Sequence, residues 1–155
     1  MTTLKILVFS DSHRSRSGMY NAIEKHDPDQ IIHLGDLVED AEDLSYAFQQ
    51  LPFCIVGGNC DGWCNYPTVR NVTFEGKQVL MSHGHLWGVK SGLEGAIAQG
   101  IKAGCDLVMF GHTHTPYCKQ QENGMWVLNP GSARSTYALV TIQGGKIDCK
   151  IMKMK

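Results

Sequence analysis

The feature that most constrains this chain is where its apolar runs stop. Leu4–Phe9 runs into Ser10-Asp11-Ser12-His13, Ile31–Leu34 into Gly35-Asp36, and Phe53–Val56 into Gly57-Gly58-Asn59-Cys60-Asp61. Lys77–Met81 leads to Ser82-His83-Gly84-His85, and Leu107–Phe110 to Gly111-His112-Thr113-His114. Short continuous apolar runs suit strands buried on both faces. In an open α/β sheet the carboxyl ends of such strands line the ligand crevice. Polar residues far apart in sequence are therefore expected to meet along one edge.

The segments between these runs read as helices and hairpins. Ser17–His26 places Met19, Ile23 and His26 on one helical face, and Glu39–Gln50 opens a pattern with Leu44, Ala47, Phe48 and Leu51 at i, i+3, i+4 and i+7. Ser91–Gly104 is expected as a third helix, with Leu93, Ile97 and Ile101 in line. Thr68–Phe74 and Lys77–Met81 flank Glu75-Gly76 as a hairpin. The tail reads as strands over Tyr117–Gln121, Trp126–Leu128, Tyr137–Ile142 and Lys146–Met152, with turns at Asn123-Gly124 and Gly144-Gly145. Parallel βα units followed by hairpins predict an α/β fold in which two mixed sheets form a sandwich with helices outside. With 155 residues and no linker or repeat, one domain over 1–155 is expected.

Composition narrows the partners. Fourteen Lys and Arg against fifteen Asp and Glu give a formal net charge of −1, so there is no electrostatic footprint for nucleic acid or an anionic membrane. A phosphate-bearing substrate would need a local positive charge, which a metal centre supplies. No apolar run approaches the roughly 20 residues that span a bilayer. Leu4–Phe9 is too short for a signal peptide, and Asp11 and His13 follow at once, so a cytoplasmic protein is expected. The six cysteines (54, 60, 64, 105, 118, 149) contain no C-x-x-C and read as reduced thiols.

Imidazoles, carboxylates and one amide form a donor set for Mn²⁺, Fe²⁺, Zn²⁺ or similar ions. D-x-H and H-x-H put alternate side chains on the same side of an extended segment, so each pair can converge. Taken singly, D-x-H or Gly-Asp after a strand is ordinary turn chemistry. Gly-His-x-His is more specific, because two histidines after a buried strand have little structural reason to be there. Five such elements in succession are poorly explained as five unrelated turns.

The ordered blocks D-x-H, G-D, G-N-x-[ED], H-G-H and G-H-x-H resemble those of the calcineurin-like metallophosphoesterases. Asn129-Pro130-Gly131-Ser132 is similar to the tail block of the small YfcE-type phosphodiesterase branch. The resemblance implies a four-layer α-β-β-α sandwich and a dinuclear centre of two divalent metal ions, manganese first, with iron, zinc or nickel as alternatives. Asp11, His13 and His114 would hold one ion, and Asn59, His83 and His112 the other, with Asp36 bridging. A bridging hydroxide would then attack phosphorus in line. Cys60 stands where many relatives carry a histidine acid, which points to a weak general acid and to substrates with good leaving groups. His85 either contacts substrate phosphate or supports a ligand. Asp61 either orients a ligand histidine or serves a turn. Arg14 either reaches phosphate or faces solvent, and His33 reads as a core histidine.

The activity so implied is hydrolysis of small phosphodiesters, with Asp36, Asn59, Cys60 and His85 beside the reacting groups. A nuclease is the nearest chemical rival, and the charge balance speaks against it. A scaffold of the same fold, acting as a protein-interaction module, is the rival from another class, and seven filled ligand positions speak against that. Trp63, Tyr66 and Trp87 are either interface or pocket aromatics or loop anchors, and a homodimer or higher assembly is expected from the resemblance.

Overall fold

Alternation along the first strand sets the layers. In the computed structural model, which describes residues 3–62 and 64–154, β1 spans Thr3–Phe9. Ile6 and Val8 face one side of it, Leu7 and Phe9 face the other, and all four are fully buried. A strand with no solvent face needs a layer on each side. Strands β2 (Gln30–His33) and β3 (Phe53–Ile55) pair parallel to it in succession, while β9 (Thr136–Gln143) and β10 (Lys146–Lys153) extend the other edge antiparallel. The first sheet thus has the order β10-β9-β1-β2-β3.

The second sheet is built from β4 (Val69–Phe74), β5 (Lys77–Ser82), β6 (Leu107–Met109), β7 (Tyr117–Gln120) and β8 (Trp126–Asn129), in the order β4-β5-β6-β8-β7. β5, β6 and β8 run parallel, and antiparallel β4 and β7 close the two edges. Between the sheets lies one apolar core, in which Val8, Ile32 and Val56 meet Val79, Met81, Leu107 and Met109. Helices α1 (Arg16–His26) and α2 (Val38–Ala47) cover the outer face of the first sheet, through Met19, Ile23 and Leu44. Helix α3 (Glu94–Ala103) covers the second through Ala96. The expected four-layer α-β-β-α sandwich is what forms. The parallel strands of both sheets end on one side, and every ligand block follows one of those ends.

Three helical expectations need correction. α2 begins at Val38 and stops at Ala47, so Phe48 is its C-terminal cap and Leu51 lies beyond it, though both still pack on the core around Leu44. α3 begins at Glu94, because two short 3₁₀ turns, His85–Trp87 and Val89–Ser91, take up the preceding chain and Gly92 breaks it at φ 145°. Ile101 does not join the buried stripe and is 59% exposed. The helix instead turns Ala96 and Gly100 to the sheet, where a Cβ on Gly100 would come within 2.7 Å of Met125 Sδ. Small residues let the helix settle closer than a Leu or Ile stripe would. Among the described residues no helix is long and apolar enough to cross a membrane.

Candidate metal centre

Asp11 leaves β1 fully buried, and its two carboxylate oxygens have different surroundings. Oδ2 accepts the Ser10 hydroxyl at 2.7 Å and the His112 N–H at 2.9 Å, whereas Oδ1 is buried without any hydrogen-bond partner. Oδ1 lies 3.2 Å from His114 Nε2 and 3.6 Å from His83 Nε2. His13 Nε2 is likewise buried and unpartnered. Asp11, His13 and His114 bring one ligand atom each within 4.8 Å of one another, and so do Asp36, His83 and His112. Buried polar atoms without partners carry a desolvation cost of about 1–3 kcal/mol each. Here the orphaned oxygen and nitrogen belong to residues whose ligand atoms lie within 4.8 Å of one another, and their donor chemistry matches the implied ions.

The tautomer of His83 is fixed for ligation. Its Nδ1 donates to Leu34 O at 2.8 Å, leaving the Nε2 lone pair toward Asp36 Oδ2 at 3.2 Å and His112 Nδ1 at 3.2 Å. A carbonyl behind a ligand imidazole orients the ring and raises its basicity. Burial pulls the His83 pKa down, but the Asp36 hydrogen bond and the Asp11 and Asp36 charges outweigh it and leave it raised. For Asp36 burial acts upward, yet His83 and the Cys60 N–H hold its carboxyl well below the usual range. A cation at this point would replace the proton that the two carboxylates otherwise attract.

Asn59 is exposed on the loop after β3, with its amide 3.7 Å from Cys60 Sγ; the loop is tied to Asp36, whose Oδ1 accepts the Cys60 N–H at 2.9 Å. Cys60 is an exposed free thiol, pushed up by partial burial and then by Asp36, Asp61 and Asp11. That makes it a poorer proton donor still. His85 is half-buried with an unpartnered Nδ1, and its ring sits 5.6 Å from His83 and 6.2 Å from His112. Burial, then the His83 charge, lower its pKa. Arg14 is exposed.

Several residues support the ligand turns through the backbone. Among the described residues Asp61 makes no hydrogen bond to a histidine; its carboxylate accepts the N–H groups of Asp36 (3.0 Å), Val38 (2.9 Å) and Gly58 (2.6 Å). It therefore clamps the Gly-Asp turn to the Gly-Asn turn and covers the start of α2. Asn129 bonds Gly111 O, Thr113 Oγ1 and the Gly131 N–H, while Ser132 Oγ donates to Asp11 O. The Asn-Pro-Gly-Ser block is thus a floor under two ligand turns. Ser12 and Asp40 gave no separate signal beyond sitting next to a ligand and in a helix start. His33 is a core histidine as expected, and burial drives its imidazole down to about 4 against the pull of Asp40, Asp61 and Asp11. Tyr66 donates to Glu42 and Trp87 packs beside Val89, so both act as loop anchors; Trp63 lies outside the described residues.

Comparison with known proteins gives concordant matches. The calcineurin-like phosphoesterase superfamily domain matches residues 4–145. The probable metallophosphoesterase YsnB of Bacillus subtilis is 29% identical over 149 residues, covering 90% of this chain and 85% of that protein. A predicted phosphoesterase from Streptococcus pneumoniae superposes with a TM-score of 0.80 at 22% identity, over 99% of this chain and 91% of the other. An archaeal phosphodiesterase gives 0.71 at 21%, over 97% and 100%. Zinc-complexed Vps29 from Entamoeba histolytica gives 0.76 at 18%, over 98% and 100%. At these identities the solved structures establish a shared fold.

Proposed function

Because the chain belongs to the calcineurin-like phosphoesterase superfamily, a family of metal-dependent hydrolases, we propose that it hydrolyses small phosphodiesters at a dinuclear centre. The observation that carries this reading is the pair of ligand triads, Asp11/His13/His114 and Asp36/His83/His112, with the buried Asp11 Oδ1 unpartnered between them. Asp36 would bridge and Asn59 would complete the second set from the neighbouring loop. Manganese is the first candidate, with iron, zinc or nickel as alternatives of the same ligand chemistry. When bound, two such ions supply an acidified water for in-line attack and offset charge on the phosphoryl oxygens.

The chain's own residues determine the rest. Leu34 O holds His83 with Nε2 free, and the Cys60 N–H and Asp61 keep Asp36 turned into the crevice. His85, at the rim with one free nitrogen, is placed to contact a substrate phosphate. Cys60 offers a weak acid where a leaving group would depart, which favours diesters whose leaving group needs no proton. The likeness to an archaeal phosphodiesterase supports the same substrate class. This reading describes a one-domain cytoplasmic enzyme that forms a homodimer or larger assembly, which light scattering would test. The deciding assay compares an aryl phosphodiester with the matching monoester in Mn²⁺. Diester turnover abolished by Asp36→Ala is expected; no turnover with any of the four metals, or turnover indifferent to that change, refutes it. Only the first of these outcomes, no turnover with any of the four metals, would leave the scaffold reading standing.

A further inference from the structure

Beneath the centre lies a buried chain of three side chains, none of them a proposed ligand. The Gly35 N–H donates to His33 Nδ1 at 3.1 Å, so the neutral ring carries its proton on Nε2. That Nε2 lies 3.0 Å from Ser12 Oγ and donates to it, and the Ser12 hydroxyl donates onward to Asp40 Oδ2 at 2.6 Å. Ser12 is fully buried, and His33 and Asp40 are 1% and 2% exposed. The three residue types are those of a hydrolytic triad, but the polarity is reversed. In a nucleophilic triad serine gives its proton to histidine. Here histidine is the donor, the serine hydroxyl donates a hydrogen bond to aspartate, and Ser12 has no exposed surface.

The chain ends on the turn that carries the first ligands. Asp40 Oδ2 also accepts the Arg14 N–H at 2.6 Å, and Ser12 Oγ accepts the Leu37 N–H at 3.4 Å. Backbone bonds Asp11 N–H to Gly35 O (2.9 Å) and His13 N–H to Asp36 O (3.3 Å) run alongside. Asp11, His13 and Arg14 sit at φ 52°, 41° and 75°, a left-handed region that non-glycine residues enter only when the surroundings hold them there. Asp40 lies in the first turn of α2, where the helix dipole favours its charge. Resting on the metal-centre reading above, we propose that Ser12, His33 and Asp40 are positioning residues that hold the Asp11–Arg14 turn in its ligating shape. On this view they set the affinity for the ion bound by Asp11, His13 and His114, and leave that of the His83/His112 ion unchanged.

The test is Mn²⁺ titration of the full chain by calorimetry, with ions counted by electron paramagnetic resonance and folding followed by circular dichroism. Wild type is expected to bind two ions. Ser12→Ala and Asp40→Asn should weaken one ion about 10–100-fold, the usual effect of removing a ligand's support, and leave the other unchanged. Ser12→Thr, which keeps the hydroxyl, should restore it. Two wild-type affinities in folded Ser12→Ala and Asp40→Asn overturn the positioning role, as does equal loss of both ions with a lowered melting temperature. Wild type that binds no ion defeats the metal-centre reading itself.

Discussion

Asp11→Asn isolates the unpartnered oxygen, because the side chain changes by one group and its volume hardly at all. An amide oxygen in the Oδ2 position keeps the hydrogen bonds from the Ser10 hydroxyl and the His112 N–H. The Oδ1 position becomes an NH₂ that cannot ligate a cation and faces His114 Nε2 at 3.2 Å. Without metal the variant should therefore fold about as well as wild type. With metal the two should separate. A ligand at 100 times its dissociation constant stabilises the native state by about 2.7 kcal/mol, and 1 kcal/mol moves the midpoint of a 150-residue protein by about 2–4 °C. Wild type should gain roughly 5–10 °C on saturation with Mn²⁺ relative to chelator, and Asp11→Asn should gain much less. Diester turnover should fall on the order of 10²-fold or more, because losing about 3 kcal/mol of charge stabilisation costs that much. Differential scanning fluorimetry with and without Mn²⁺ reads the first effect. A full wild-type shift in Asp11→Asn would refute the assignment of Oδ1 as a ligand.

Gly111→Ala leaves every ligand in place, but its Cβ would overlap Ser10 Oγ and lie 2.7 Å from Asp11 Oδ2. Metal affinity should drop as far as in a ligand variant, and a titration that finds it unchanged contradicts the packing argument. Asn129→Ala strands the Gly131 N–H, while Gly111 O keeps the Thr113 N–H and Thr113 Oγ1 keeps its bonds to Thr115, so urea unfolding should show a loss of about 1–3 kcal/mol. His33 has its folded pKa lowered to about 4 from 6.5. Between those values the unfolded chain binds the proton and the folded chain does not, so stability is complete above about pH 6.5 and is lost as pH falls toward 4. The His33 contribution, measured in chelator, integrates to about 3 kcal/mol, with His26, His85 and His112 adding in the same direction and His83, whose pKa is raised, opposing it. His33→Gln should flatten the slope; an identical pH profile would show that burial does not keep this ring neutral.

The elements legible in the sequence are those whose pattern depends on burial alone. Ile6–Phe9, Ile31–Leu34 and Leu107–Phe110 are buried on both faces, and their ends carry the ligand atoms that converge. Ile101 was illegible because periodicity cannot tell a Leu/Ile stripe from a Gly/Ala stripe, and close packing on the sheet selected Ala96 and Gly100. Asp40 was illegible, and Asp61 and Ser132 were legible without their partners, for another reason. Each acts on a backbone N–H or carbonyl brought near by the fold, and no spacing rule encodes such a partner. The His33 reading was right about burial but did not extend to Ser12 or Asp40.

Five of the seven proposed ligand positions, Asp11, His13, Asp36, His112 and His114, have φ between 41° and 72°. Asp, Asn and His tolerate this conformation better than most residues, and glycine adopts it freely. The ligands thus occupy sites where the metal-free backbone would be relaxed by losing them. Selection on stability alone would replace them with Gly or Asn, and the sandwich would survive. A lineage released from catalysis can therefore shed its centre step by step without passing through an unfolded ancestor.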